Sequence, residues 1–247
     1  MKSVLVAAAF LTRLPIPIVA DGADVGAAAR WFPLIGCALG AASALIAWVM
    51  RDVLAFPPAL NATLLVGFGA WVTGAIHLDG LADAADGFGG GLTREDVLRI
   101  MRDPAIGSFG TTALLVVLAT KSAALTALLE RGAFPFLVVA PALSRWTVSA
   151  LAAFLPYARA EGGLGQAVID RNMTGLLRST LLAALIAIAA AGTDGLFSWL
   201  PALLMTALIG RAARRRIGGV TGDVFGASVE LTETAVLLFG VVLTRRA

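Results

Sequence analysis

Seven stretches of this chain, at about 31–50, 57–77, 107–129, 134–156, 175–192, 196–212 and 223–243, are apolar over close to the length that crosses a bilayer. A membrane interior offers backbone N–H and C=O groups no partners, so runs of that length must be helical. The expected fold is therefore all-α: one domain over 1–247, a polytopic integral membrane helix bundle with six to seven transmembrane helices. A soluble protein with an oversized core would still need a polar stripe on each surface helix, and several of these runs have none. Composition agrees: 59% of residues are hydrophobic and 14% charged, against about a quarter charged in soluble domains. Prolines and glycines close the runs, as in AFPPAL and RGAFPF, and a short GTDG turn separates the fifth from the sixth. Gly36, Gly40 and Ala44, four apart in the first run, suit close helix packing.

The N-terminal MKSVLVAAAFLTRLPIP begins like a secretory signal, but Arg13, Pro15 and Pro17 stand where a small-residue cleavage site would fall. A short helix lying along or dipping into the membrane is expected instead. Cys37 is the single cysteine, which excludes an intrachain disulfide or a cysteine-based zinc cluster. A formal charge of only +3 gives no nucleic-acid footprint.

The basic residues set the orientation. Lys2, Arg13, Arg30, Arg94, Arg99, Arg102, Arg159, Arg171, Arg178, Arg211, Arg214, Arg215 and Arg216, thirteen in all, fall on one side, and Arg51, Arg131, Arg245 and Arg246, four, on the other. That bias puts the N-terminus and the loops at 79–106, 158–174 and 211–222 in the cytoplasm, in a multi-pass protein of the cytoplasmic (inner) membrane. Neither an internal repeat nor an inverted pair of segments is evident, which argues against a transporter.

After the second run comes HLDGLADAADGFGGG, residues 77–91. On a helix, Asp79, Asp83 and Asp86 fall within about 60 degrees of one face and along about 10 Å of axis. Carboxylates that close raise one another's pKa unless a cation offsets them, and hard oxygen ligands suit Mg2+ together with substrate phosphates. These three are the expected metal ligands; a solvated turn would account for any single Asp-Gly pair. Neighbouring glycines allow close backbone approach to an anion. Downstream, Thr93 can cap a short helix bearing Arg94 and Arg99, followed by Arg102 and Asp103. Asp103 is a candidate to complete the site or to accept a proton from an attacking hydroxyl.

Ionisable residues inside spans are costly and face interiors. Lys121 and Arg145 lie in the third and fourth runs, and Asp223, Glu230 and Glu233 follow one side of the seventh. They form either a polar pocket that holds phosphates and orients a nucleophile, or ion pairs that fix helix register. His77 is a candidate for substrate contact or an interface residue. Clustered aspartates, scattered arginines and no serine or cysteine triad point to Mg2+-assisted phosphoryl transfer. Prenyl transfer uses similar parts but usually two aspartate clusters, and one is present here.

HLDGLADAADGFGGG and REDVLRIMRDPAIGSFG, with FLTRLPIP at 10–17, WFPLIG at 31–36, Lys121, Arg145 and GGVTGDVFGASVELTE at 218–233, resemble the adenosylcobinamide-GDP ribazoletransferase (cobalamin synthase) family. The resemblance implies a Mg2+-dependent enzyme at the end of vitamin B12 assembly. It would join the phosphocobinamide part of adenosylcobinamide-GDP to alpha-ribazole, or to its 5'-phosphate, releasing GMP. The implied roles are metal ligands at Asp79, Asp83 and Asp86, catalytic acids among Asp86, Asp103 and Glu230, and substrate contacts at Arg13, His77, Arg102, Lys121, Arg145 and Asp223. The implied partners are those two substrates and the lipid bilayer, with self-association or association with other cobalamin-assembly enzymes in addition. Asp83, Asp86 and Gly87 also repeat the opening DxxDG of the CDP-alcohol phosphotransferases, whose remaining motif is missing.

Overall fold

The structure is a computed structural model that describes residues 2–169 and 172–246; Arg171, counted above on the basic side, lies outside the described residues. In chain order the helices are α1 (Lys2–Leu11), α2 (Gly22–Ala28), α3 (Phe32–Trp48), α4 (Pro58–Thr73), α5 (Ile76–Gly90), α6 (Arg94–Ile100), α7 (Ser108–Glu130), α8 (Pro135–Phe154), α9 (Met173–Phe197), α10 (Trp199–Ile217) and α11 (Gly222–Leu243). Tyr157 and Val220 make an isolated parallel bridge, and no strand occurs among the described residues. The all-α expectation holds.

Five helical stretches are long and apolar enough to cross a membrane: Gly22–Val53, α7, α8, α9 and α11; the number becomes six if α4 and α5, bent by 91°, count as one broken span. The run at 57–77 is thus not one straight helix. Gly74 (φ 64) and Ala75 (φ 58) both adopt left-handed conformations that end α4 and turn the chain into α5. Glycine does this freely, alanine only at a cost. After the bend α5 packs on α7 and α11. The run at 196–212 is helical in α10, but Arg211, Arg214, Arg215 and Arg216 in its last turns keep it out of the apolar set. GTDG breaks the chain where expected, at Gly192 (φ 55, ψ -129) near the end of α9.

The most buried span is α8. Gly36 and Gly40 of α3 press on the Pro141 and Leu137 carbonyls of α8, where any side chain would collide. Small residues permit that approach, so the first-run glycines act in packing. At the other flank, basic side chains tie helix ends together. Arg94 donates to the Ile217 carbonyl at 3.0 Å and the Ala158 carbonyl at 2.7 Å. Arg216 donates to the Phe88 carbonyl at 2.8 Å and to that of Gly91.

Candidate active site

The aspartate segment is a helix, and what positions it is a glycine pair. A Cβ on Gly80 of α5 would lie 3.0 Å from the Asp223 carbonyl, and one on Gly226 of α11 would lie 3.0 Å from the Gly80 Cα. With no side chain on either, the two helices cross almost backbone to backbone. That contact carries Asp79 and Asp83, one turn apart on α5 and thus about 6 Å between Cβ atoms, to Asp223 in the first turn of α11. Asp79 is exposed, while Asp83 and Asp223 are half-buried. The Asp79 and Asp83 carboxylates, on one helix face, repel each other. Arg159 supplies a cation, with its guanidinium 2.7 Å from Asp223 Oδ2. Asp79 thus stands between two openings, one shared with Asp83 and the other with Asp223 and Arg159.

Asp86 does something else. Its Oδ2 accepts from the Gly107 N–H at 2.7 Å and its Oδ1 from the Gly110 N–H at 2.9 Å. Both donors belong to the start of α7, whose own N-cap position, Gly107, has no side chain to offer. Asp86 thus caps α7 from a neighbouring helix, which satisfies two otherwise orphan N–H groups. Helical spacing puts Asp86 on the same face as Asp79 and Asp83, but its carboxylate is occupied with backbone.

Thr93 caps α6 as expected, its hydroxyl accepting from the Asp96 N–H at 3.1 Å. Past α6, Arg102 is exposed and pairs with Glu161 at 2.8 Å. Asp103 is exposed and accepts from the Ala105 N–H at 3.0 Å. The following Pro104 and Ile106 line a cavity of ≈ 300 Å³ with Asp79 and Asp83; Asp103 itself is not among its walls. Arg13 lies against Gly74 at the corner between α4 and α5, its backbone N–H donating to the Val72 carbonyl at 2.8 Å.

Deeper in the bundle, Lys121 lies 2.6 Å from Glu230 and 3.1 Å from Glu233, and Arg145 pairs with Glu233. All four side chains are at most 14% exposed. Two cations and two anions cancel, which is how buried charge is tolerated. Glu230 sits seven residues below Asp223, about 10 Å along the axis. The structure thus gathers Lys121, Arg145 and Glu230 into one cluster, joined by Glu233, and among the described residues no cavity wall shared with Asp79 or Asp83 includes any of them.

A second cavity, ≈ 260 Å³, opens beside the acids and is lined by His77, Asp79, Tyr157, Arg159, Asp223 and Phe225 among others. Arg159 and Tyr157 were not singled out from the sequence. Both sit in a turn-rich loop with no helical periodicity, and only the PYAR dipeptide pair of ring and guanidinium hints at them.

Fold and acidic mouth together define a class, a multi-pass helical membrane enzyme whose polar groups gather at one end of the bundle. The model of the cobalamin-5-phosphate synthase family matches residues 3–242, and the chain belongs to that family. Similar curated proteins named adenosylcobinamide-GDP ribazoletransferase include that of Pseudomonas paraeruginosa, 41% identical over 241 residues, covering 96% of this chain and 97% of the relative. That of Chlorobium phaeobacteroides is 37% identical over 247 residues, covering 98% of each, and that of Chlorobium chlorochromatii is 40% identical over 237 residues, covering 94% and 93%. No solved structure matches the chain.

Proposed function

We propose that this protein transfers the phosphocobinamide moiety of adenosylcobinamide-GDP to a hydroxyl of alpha-ribazole, or of alpha-ribazole 5'-phosphate, at the cytoplasmic face of the inner membrane. The acceptor oxygen bonds to the phosphorus that carries cobinamide, and the bond from that phosphorus to the bridging oxygen breaks. GMP leaves with the bridging oxygen, and the acceptor proton passes to a carboxylate. The product is adenosylcobalamin or its 5'-phosphate. The observation that carries this reading is the position of Asp79 between two cavities, one walled also by Asp83 and the other by Asp223 and Arg159, in a chain whose family match runs nearly end to end.

Among the described residues, no three carboxylate, imidazole or thiol groups are close enough to cage a metal. Mg2+ needs no such cage, since one or two carboxylates with substrate phosphates and waters suffice. Asp79 and Asp83 fit that demand: they lie one helical turn apart, repel each other, and form no ion pair among the described residues. Bound there, Mg2+ would offset charge on the diphosphate as GMP departs. Asp103, exposed beside Pro104, is suited to take the acceptor proton, because Asp86 and Glu230 are engaged with backbone and with Lys121. Arg159 holds Asp223 and is the cation in the wall of the second cavity. The arginine bias supports the cytoplasmic orientation.

The test is purified protein in liposomes given adenosylcobinamide-GDP, alpha-ribazole and Mg2+. The expected result is GMP and adenosylcobalamin in equal amounts, stopped by a chelator; no GMP under any metal condition would overturn the reading.

A further inference from the structure

Two cavities flank α5, and Asp79 belongs to the walls of both. The ≈ 300 Å³ one is the open mouth with Asp83. The other, ≈ 260 Å³, reaches inward between α1, α5, α8, the 157–165 loop and α11. Its inner walls are apolar and aromatic, from Phe10, Val148 and Phe225, and its outer wall is polar, from Tyr157, Arg159 and Asp223. Apolar walls with a few convergent polar groups are the makeup of a small-molecule site.

The polar groups of this cavity are incomplete. His77 is only 6% exposed, yet its Nδ1 has no hydrogen-bond partner among the described residues, and neither has the buried Nε of Arg159. Buried polar atoms without partners are rare in folded proteins and destabilise them. A ligand that supplies a nitrogen or oxygen to His77 and stacks on aromatic walls would remove that cost. The chamber is far too small for a corrin macrocycle but suits a flat heterobicycle on a sugar.

We infer that this inner cavity receives the acceptor, a nucleoside with its planar aromatic base inward against Phe10 and Phe225 and a ring nitrogen at His77. Its sugar then lies outward, toward Tyr157 and Arg159, with a hydroxyl at Asp79. The donor diphosphate enters from the open side, so that Asp79 stands where the acceptor hydroxyl and the donor phosphate meet. His77 is on this view an acceptor-binding residue and touches no part of the corrinoid. The assignment rests on the transfer reaction proposed above, and it adds which substrate occupies which cavity.

The experiment measures KM for each substrate separately, together with equilibrium binding of alpha-ribazole alone to the protein in nanodiscs. His77→Leu removes the ring nitrogen, and Tyr157→Ala alters the half-exposed loop without entering the core. Each is expected to raise KM for alpha-ribazole and weaken its binding about tenfold, while KM for adenosylcobinamide-GDP changes less than about twofold. His77→Gln, which restores a hydrogen-bonding group, is expected to recover most of the loss. If wild-type protein releases GMP but these variants bind alpha-ribazole as tightly as wild type, or the change falls on KM for the donor, the cavity assignment is overturned and the transferase reading survives. If wild-type protein releases no GMP, the transferase reading itself has failed.

Discussion

Asp86→Ala separates a structural carboxylate from a catalytic one. In the folded protein the Asp86 oxygens accept the N–H groups of Gly107 and Gly110, at 2.7 and 2.9 Å, at the start of α7. The Gly110 bond is buried, so losing its acceptor costs about 1–3 kcal/mol. The Gly107 N–H is half-exposed and can turn to water, which limits its loss to that of an ordinary cap, about 1 kcal/mol. The sum is about 2–4 kcal/mol of stability. Asp86→Asn keeps one acceptor oxygen and is expected to cost about half as much. Reversible unfolding in detergent, followed by circular dichroism at fixed pH, measures both. At a temperature where the variants remain folded, Asp86→Asn is expected to keep a substantial fraction of wild-type GMP release. If Asp86→Ala unfolds like wild type yet releases no GMP, Asp86 is a metal ligand or reacting group and the capping argument is refuted.

In the deep cluster, Lys121→Met leaves Glu230 and Glu233 short of a cation and should cost about 3–5 kcal/mol, with much of it recovered in Lys121→Met/Glu230→Leu. Additive losses in the double variant would mean that the pair at 2.6 Å is not coupled. Gly226→Ala puts a methyl 3.0 Å from the Gly80 Cα, so it should part α5 from α11, cost about 1–3 kcal/mol and depress turnover. Unchanged turnover would show that the crossing does not set the acids.

Much of this was legible beforehand because bilayer length, helical periodicity and charge bias are local properties of a chain. The apolar runs, the break at Gly192 and the Thr93 cap all follow from neighbouring residues. Partner choice is not local. Helical spacing put Asp86 on one face with Asp79 and Asp83, but the two N–H groups that engage it come from Gly107 and Gly110, more than twenty residues on. Glu233 was visible on the same side of α11 as Glu230, yet its bridging of Lys121 and Arg145 depends on how three helices pack. The right-angle turn after Thr73 had Gly74 as its only clue, since Ala75 in a left-handed conformation goes against its own preference. Arg159 belongs to a loop, where no period predicts what a side chain meets.

The most direct test of the acidic mouth is single-turnover GMP release by Asp83→Asn protein in liposomes, with adenosylcobinamide-GDP, alpha-ribazole and saturating Mg2+, beside wild type and with folding verified. If Asp79 and Asp83 hold the cation at the reacting diphosphate, wild type gives one GMP for each cobalamin formed and Asp83→Asn gives none. GMP release at the wild-type rate from folded Asp83→Asn would place the chemistry elsewhere in the molecule.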